Sequence, residues 1–482
     1  MKRLLLLCGI VAAGLSAATE GDGTTPLHRA AHQDDVAAAR QLLAAGGAPD
    51  AANRYGITPL SLACTNGSGP MVELLLKAGA NPNGLLPGGE TPLMQAARTG
   101  GIEPVRALLA AGATVDSTEA ARGQTALMWA AAEGHVAVVE MLIEAGATRD
   151  RRLASGFTPL LFAVREGRIG VVRALLERGV DVNQTIETVK SPGGAPNQGR
   201  IAPRSGVSAL HLAVSNAHFE LAGVLLDAGA DPNAIGPGWT PLHAITWVRK
   251  PGGGDNDPAP RGSGTLSSLD LVRKLATHGA NLNARQTRRI NAGLTSLNTK
   301  GATPFLLAAR TGDAELMRLL AKLGADPLIP NADGATPLIV AAGLGTRSPG
   351  EDAGAEAEVL EAVQAAIDLG NDPNAVDHNG ETAMHGAAYK NLPAVVQLLA
   401  DRGARPEVWN RPNKQGWTPL TIAEGRRFGN FKPSPETAAA IRRVLLAAGI
   451  TPEATPRIRQ TSNTDYGAKP AAVKPPPPQQ PR

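Results

Sequence analysis

Apolar residues return along most of this chain in short paired bursts rather than in long runs. The first burst of a pair has the form Leu-x-x-Ala-Ala, as in Pro26-Leu-His-Arg-Ala-Ala31. The second places apolar residues at i, i+3 and i+4: Val138, Met141 and Leu142 in one copy, Val171, Ala174 and Leu175 in another. That spacing is the period of a short α-helix with one buried stripe. A Thr or Ser opens each first burst, and in most copies Pro follows it. The hydroxyl caps a helix, and Pro sits where its missing N–H leaves nothing unpaired. A break near Gly100, Gly134 or Gly167 separates the two bursts, and a Gly closes the second with a left-handed residue.

Counting places these marks in register. Thr-Pro-Leu or a near variant begins at Thr25, Thr58, Thr91, Thr125, Thr158, Ser208, Thr240, Thr303, Thr336, Thr382 and Thr418, at intervals of 33, 33, 34, 33, 50, 32, 63, 33, 46 and 36. The closing glycines are Gly46, Gly79, Gly112, Gly146, Gly179, Gly229, Gly279, Gly324, Gly370, Gly403 and Gly449, and in 8 of 11 units the Thr-to-Gly spacing is 21. No single helix pair can bury both of its faces, so the units must stack into a one-dimensional core. Segments such as Ala230-Asp-Pro-Asn233 turn the chain back to the next Thr.

Thr25-Pro-Leu-His-Arg-Ala30 and Ser208-Ala-Leu-His-Leu-Ala213 resemble the signature of the ankyrin repeat, and the resemblance runs over about residues 20 to 450. It implies an all-α solenoid of about eleven helix-turn-helix units with short β-hairpin fingers between them. It also implies a concave face, lined by first helices and fingers, that binds a protein partner. Thr125-Ala126, Ser208-Ala209 and Thr382-Ala383 depart from the pattern by replacing Pro with Ala, which a helix start tolerates.

The spacing also locates insertions. From Gly179 to Ser208 and from Gly279 to Thr303 the extra residues lengthen fingers; in units seven, nine and eleven they fall between the paired helices, on the opposite edge. Inserts near 184–205, 250–267 and 343–355 are rich in Gly, Pro and Ser and read as flexible loops, whereas 285–300 is basic, with Arg285, Arg288, Arg289 and Lys300. Such loops carry function in some repeat proteins and are inexpensive decoration in others. Residues 451–482, ending in Lys474-Pro-Pro-Pro-Pro-Gln-Gln-Pro-Arg482, read as a disordered Pro-rich tail.

Composition narrows the picture. At 482 residues the chain exceeds what one core supports, and with 43% apolar but 3% aromatic residues its core must be made of Ala and Leu. A net charge of +4 lacks the clustered excess of a nucleic-acid binder. Lys2 and Arg3, the apolar stretch Leu4 to Leu15 and Ser16-Ala17-Ala18 form a signal peptide cleaved after Ala18, which predicts an exported, periplasmic or secreted protein. That stretch is too short to span a bilayer, and no other segment is apolar enough, so no membrane span is expected. Cys8 falls in the leader, leaving Cys64 as the single thiol, a small buried residue of unit two.

Enzymatic chemistry is not expected. The chain has no Gly-Lys-Ser/Thr phosphate loop, no His-Glu-x-x-His and no Gly-x-Ser-x-Gly elbow, so no catalytic, cofactor or metal residues are assigned. His28, His211, His243 and His385 occupy the repeat signature, where the family resemblance implies hydrogen bonds to neighbouring loops. Asp255-Asn256-Asp257 lacks the glycine and distal Glu of a calcium loop.

The scarce aromatics Trp129, Phe162, Trp239, Trp247, Tyr389, Trp409 and Trp417 lie on first helices or fingers, as hot spots or as packing between units. Arg98, Arg165, Arg249, Lys250, Arg310, Lys390, Arg426 and Arg427 stand at first-helix ends against Glu133, Glu166 and Glu424, as a basic stripe or a plain solvated face. The residues assigned to partner binding are Trp239, Trp247, Arg249, Lys250, Arg165, Arg310 and Tyr389, with docking expected across units five to eight. The expectation is a monomeric scaffold of the bacterial envelope holding a protein partner with an acidic surface. The alternative is a secreted effector acting on a host protein.

Overall fold

The computed structural model describes residues 21–187, 205–251, 260–289, 296–347, 349–350, 352–426 and 433–452. The leader, the centres of several inserts and the tail beyond 452 lie outside the described residues, as do Asp255-Asn256-Asp257 and Arg427. Twenty-three helices are described: eleven first–second pairs, in the register the Thr and Gly marks predict, and a one-turn helix at Pro406–Trp409. First helices pack on the first helices of adjacent units, second helices on second helices. One apolar core runs from Leu27 to Leu445. In unit four it takes Leu127, Ala130 and Ala131 from helix Ala126–Glu133, and Val138, Val139 and Leu142 from helix Val136–Glu144. Small alanines in the first helix let neighbouring units approach closely, which is why the scarcity of aromatics costs little.

The capping geometry follows the sequence. Thr58 accepts from the Ser61 N–H at 3.2 Å, Thr91 from Met94 at 3.3 Å and Ser208 from His211 at 3.3 Å. Where the third helical residue is His, the ring joins two units. Nδ1 of His243 accepts from the Thr240 N–H at 3.2 Å, which leaves the proton on Nε2 to donate to the Ala302 carbonyl at 3.1 Å, beside the capping Thr303 of the next unit. His28, His211 and His385 do the same toward Ile57, Trp239 and Trp417. Ser61 and Thr421 keep the local cap without that reach.

A second tie runs along the turns after the second helices. Asn83 accepts from the Thr114 N–H at 2.7 Å and donates to the Gly112 carbonyl at 3.1 Å; Asn233 and Asn374 repeat this with Asn281 and Gly279, and with Arg405 and Gly403. Gly112, Gly279 and Gly403 are thus each held by the unit before them. The fingers follow a hairpin course closed by one backbone bond, such as Asn53 N–H to Ile57 or Leu153 N–H to Phe157. Single bonds join successive tips, as from Arg54 to Asp22 and from Ala120 to Gly88. Among the described residues no strand ladder forms; an isolated bridge links Thr185 and Ser208.

The inserts emerge where the spacing puts them. The long finger after unit five is pinched at its base by Ile186 N–H to Val207 and Gly206 N–H to Ile186, both at 2.8 Å. The reading of inserts as flexible is corrected for residues 260–267, which dock on units five and six. There the Ser263 N–H donates to Nδ1 of His218 at 3.0 Å and the Thr265 N–H to Glu220 at 2.8 Å. Gly262 approaches so closely that a Cβ would lie 1.8 Å from the Ala217 carbonyl oxygen.

Two expectations for stability arise here. Gly146 stands at φ +92° with open space where a side chain would go, so its requirement is conformational rather than steric. Gly146→Val should lower stability by more than about 1 kcal/mol in urea melts, since even an unbranched side chain pays 1–2 kcal/mol in that region. Gly88→Val, at an open position with no positive φ, should be nearly silent; Gly253, the other control the sequence offers, lies outside the described residues.

The second concerns pH. Burial lowers His211, His243 and His385 from 6.5 to about 4. The folded value lies below the unfolded one, so the unfolded chain takes up the protons first as pH falls. This stabilisation is present above about pH 6.5 and is lost progressively toward pH 4, at up to about 1.4 kcal/mol per pH unit for each ring. Urea melts across this window should show the slope, and His243→Ser, patterned on Ser61, should flatten it even though it lowers stability at neutral pH.

Candidate functional site

The first-helix face is built from three places in each unit: the residue before the capping Thr, on the returning limb of the finger, and those four and seven beyond it. The latter two are one turn apart on the same side of the helix. In unit five these are Phe157, Phe162 and Arg165; in unit seven, Trp239, Ala244 and Trp247. The Phe157 and Phe162 rings lie 5.2 Å apart, with the Arg165 guanidinium 5.3 and 5.1 Å from their centroids. Trp239 and Trp247 meet edge to face at 6.0 Å, and Arg288 of the next finger lies 6.0 Å over Trp239. Arg98, at the end of the unit-three helix, stacks 5.0 Å over Trp129 of unit four. Phe157 and Phe162 belong to the core and Trp239 and Trp247 pack against it, while arginines lie over Trp129, Phe157, Phe162 and Trp239.

The basic stripe is largely consumed within the fold. Arg249 holds Asp313 at 2.7 Å, Glu315 at 3.1 Å and the Ser268 hydroxyl at 2.6 Å; its side chain is 14% exposed and that of Asp313 1%. Burial works against this charge, but the two carboxylates outweigh it and hold the guanidinium above its ordinary range. Lys250 is bonded to Glu358, and Arg310 lies 3.9 Å from Asp352. Lys390 donates to the Ala353 carbonyl at 2.5 Å, and burial pulls its ammonium below the usual lysine range. Arg426 pairs with Glu424 at 2.9 Å. Tyr389 is buried and donates to Glu381 at 3.0 Å, with Asn413 bridging both. Trp409 is 1% exposed, inside the core. Arg249, Lys250, Arg310 and Tyr389 thus brace the insert-bearing units seven to ten, each through a partner that sequence spacing does not reveal.

The basic insert holds a feature the sequence reading missed. Residues 296–300 cross the first-helix face from the finger side: both N–H and Oγ of Ser296 bond the Gly345 carbonyl, at 2.9 and 3.2 Å, past the far end of helix Pro337–Ala341. Leu297, 4% exposed, packs with Leu306, Leu307, Ile339 and Val340 in a cluster separate from the main core. Asn298 donates to Asp333 at 2.9 Å, and its carbonyl accepts from Asn331 at 2.8 Å. The chain's own segment therefore occupies units eight and nine, and the expected docking span is cut short at unit seven. The apolar residues Ile290, Leu294 and Leu297 within the basic insert were the available signal.

Two family models match the chain: "Ankyrin repeats (3 copies)" over residues 1–85, 49–119, 93–186 and 353–430, together more than half the chain, and "Ankyrin repeat" over 205–236 and 300–332. The chain belongs to the ankyrin-repeat family. The stretches between the matched ankyrin segments hold unit seven and the first helix of unit nine, where inserts break the spacing. Among curated relatives it is similar to the B-cell lymphoma 3 protein homolog of Mus musculus, 32% identical over 249 residues, covering 51% of this chain and 45% of that protein. It is also similar to the human ankyrin repeat and SOCS box protein 16, 26% identical over 278 residues, covering 58% and 48%. The chain spans about half the length of these relatives. Among solved structures, the human ASB11 ankyrin repeat domain aligns with a TM-score of 0.41 at 24% identity, covering 53% of this chain and 98% of that one.

Ankyrin stacks are protein-interaction scaffolds. Cys64 is fully buried and its thiol pKa is pushed up by burial. Among the described residues no group of three His, Cys, Asp or Glu side chains could hold a metal, and no helix is long and apolar enough to cross a membrane. A cleft of about 340 Å³ lies on the second-helix side, where Lys274 is already paired with Asp227 at 2.6 Å.

Arg249 offers the sharpest test of the framework reading. Arg249→Ala should lower stability by about 3 kcal/mol in urea melts, because Asp313 is left buried without its cation.

Proposed function

We propose that this chain is an exported protein-binding scaffold of the bacterial envelope whose partner lies in the open part of the first-helix face, units three to seven. The row Arg98/Trp129, Phe157/Phe162/Arg165 and Trp239/Trp247 carries the reading. It lies on the face that ankyrin proteins present to partners, and a strap of residues 296–300 covers the adjoining units eight and nine. Aromatic bodies with attached cations supply desolvated contact area and charge at small cost in side-chain freedom. Lys2, Arg3, the Leu4–Leu15 stretch and Ser16-Ala17-Ala18 support export, with a mature chain starting at Thr19.

Capture from envelope extracts tests this with two variants. Ala132 sits seven residues past its capping Thr, between Arg98 and Arg165, so Ala132→Trp blocks the groove by bulk alone. Arg318 is exposed on a second helix. A species held by the wild type and by Arg318→Ser, but lost with Ala132→Trp, is the expected result. Capture indifferent to Ala132→Trp would place binding elsewhere, and N-terminal sequencing that finds Met1 retained would refute export.

A further inference from the structure

Several second-helix cations are paired with carboxylates: Lys77 with Glu73, Arg106 with Glu103, Arg273 with Asp270, Arg318 with Glu361 and Arg402 with Asp368. So are Arg249, Lys250, Arg310 and Arg426 at first-helix ends. The cation–ring contacts of the described residues lie on fingers and first helices. Arg98 has a Trp beneath its guanidinium and no carboxylate within ion-pair distance among the described residues. Arg165 lies on two Phe rings and shares its Nε with Glu166 at 2.7 Å. A cation over a ring keeps its N–H donors for other partners: those of Arg98 pair with no carboxylate among the described residues, and Arg165 gives only its Nε to Glu166. A guanidinium edge matches a carboxylate in two parallel hydrogen bonds.

We infer that the open groove reads an extended acidic segment of its partner, one carboxylate on Arg98 and another on Arg165. This deepens the scaffold reading and rests on it. The two arginines occupy equivalent places on helices Pro92–Thr99 and Pro159–Arg165, with one first helix between them. Two helix spacings amount to roughly 16–20 Å. An extended chain covers that in about five or six residues. The partner segment therefore carries two acidic residues about six apart, with small or apolar residues between them crossing Trp129 and Ala132.

The test uses the full-length mature chain and a labelled Ser/Val peptide bearing two glutamates at that separation, measured by fluorescence anisotropy at low and physiological salt. Control peptides carry glutamine in place of glutamate, or the same two glutamates adjacent. The spaced Glu peptide should bind at least about tenfold more tightly than either control. Arg98→Gln and Arg165→Gln should each remove most of that advantage with unchanged urea melts. Glu166→Gln should tighten binding by about two- to threefold, because it releases the Nε of Arg165, and a gain of affinity cannot come from misfolding. Equal binding of the Glu and Gln peptides, or an advantage that survives both arginine changes, would overturn the inference. If at the same time Ala132→Trp still abolishes partner capture, the groove stands as the binding site and only its acidic specificity falls.

Discussion

Everything in this molecule depends on one constraint: a helix pair of about twenty residues cannot cover its own apolar stripes. Helix Ala126–Glu133 packs on its own partner helix and also on the first helices of units three and five, so neighbours supply the walls that one unit cannot. Apolar burial is non-directional and would tolerate sliding of one unit past the next. Direction comes from two hydrogen-bonded ties, one at each end of the pair. Rings such as His243 hold the next unit's finger base, and amides such as Asn233 hold the next unit's closing glycine. Packing brings the units together, and these ties fix their register.

Such a design leaves two edges at which extra residues enter without breaking a tie, and the long inserts of the described chain enter there. The finger inserts begin beyond a pinched base, at Ile186–Val207 and at Gln286–Ala302, so the stack does not register their length. The inserts between paired helices separate a first helix from its second, and units seven to nine compensate with buried charge. Arg249 reaches Asp313 of the following unit, and Lys250 reaches Glu358 of the unit after that. Ion pairs are a costly way to join elements, since each buried charge must first lose water. Their gathering around the displaced helices is the physical reason that cations at first-helix ends were unavailable as a surface stripe.

The fold was legible in the sequence because its determinants are local and repeated: Thr25 and Gly46 mark a unit without knowledge of any other. Insert positions were legible for the same reason. The surface was less so. Spacing placed Phe162, Trp239 and Trp247 on the correct face, but gave no means of separating Arg98, which rests on a ring, from Arg249, which rests on a carboxylate 64 residues away. Sequence-distant pairing of this kind has no periodic signature. The docking of residues 260–267 was hidden for a similar reason: Gly262 and Gly264 read as flexibility where the structure uses them for close approach to Ala217 and Glu220.

The strap at 296–300 changes what the repeat count means for binding. Eleven units offer eleven sets of the same three face positions, yet Leu297 seals those of units eight and nine in the manner of a bound segment, one apolar side chain in a pocket with backbone and amide bonds on either side. The face positions there are Ala302 and Leu307 in unit eight and Ala335 and Val340 in unit nine, small or aliphatic and matched to a leucine. In units four to seven the same positions hold Trp129, Phe157, Phe162, Trp239 and Trp247; arginines lie over the first four, and Trp247 packs against the Leu297 cluster. A single architecture thus presents two chemistries side by side. The aliphatic part is filled by Leu297 from within the chain, and the aromatic part carries arginines over its rings.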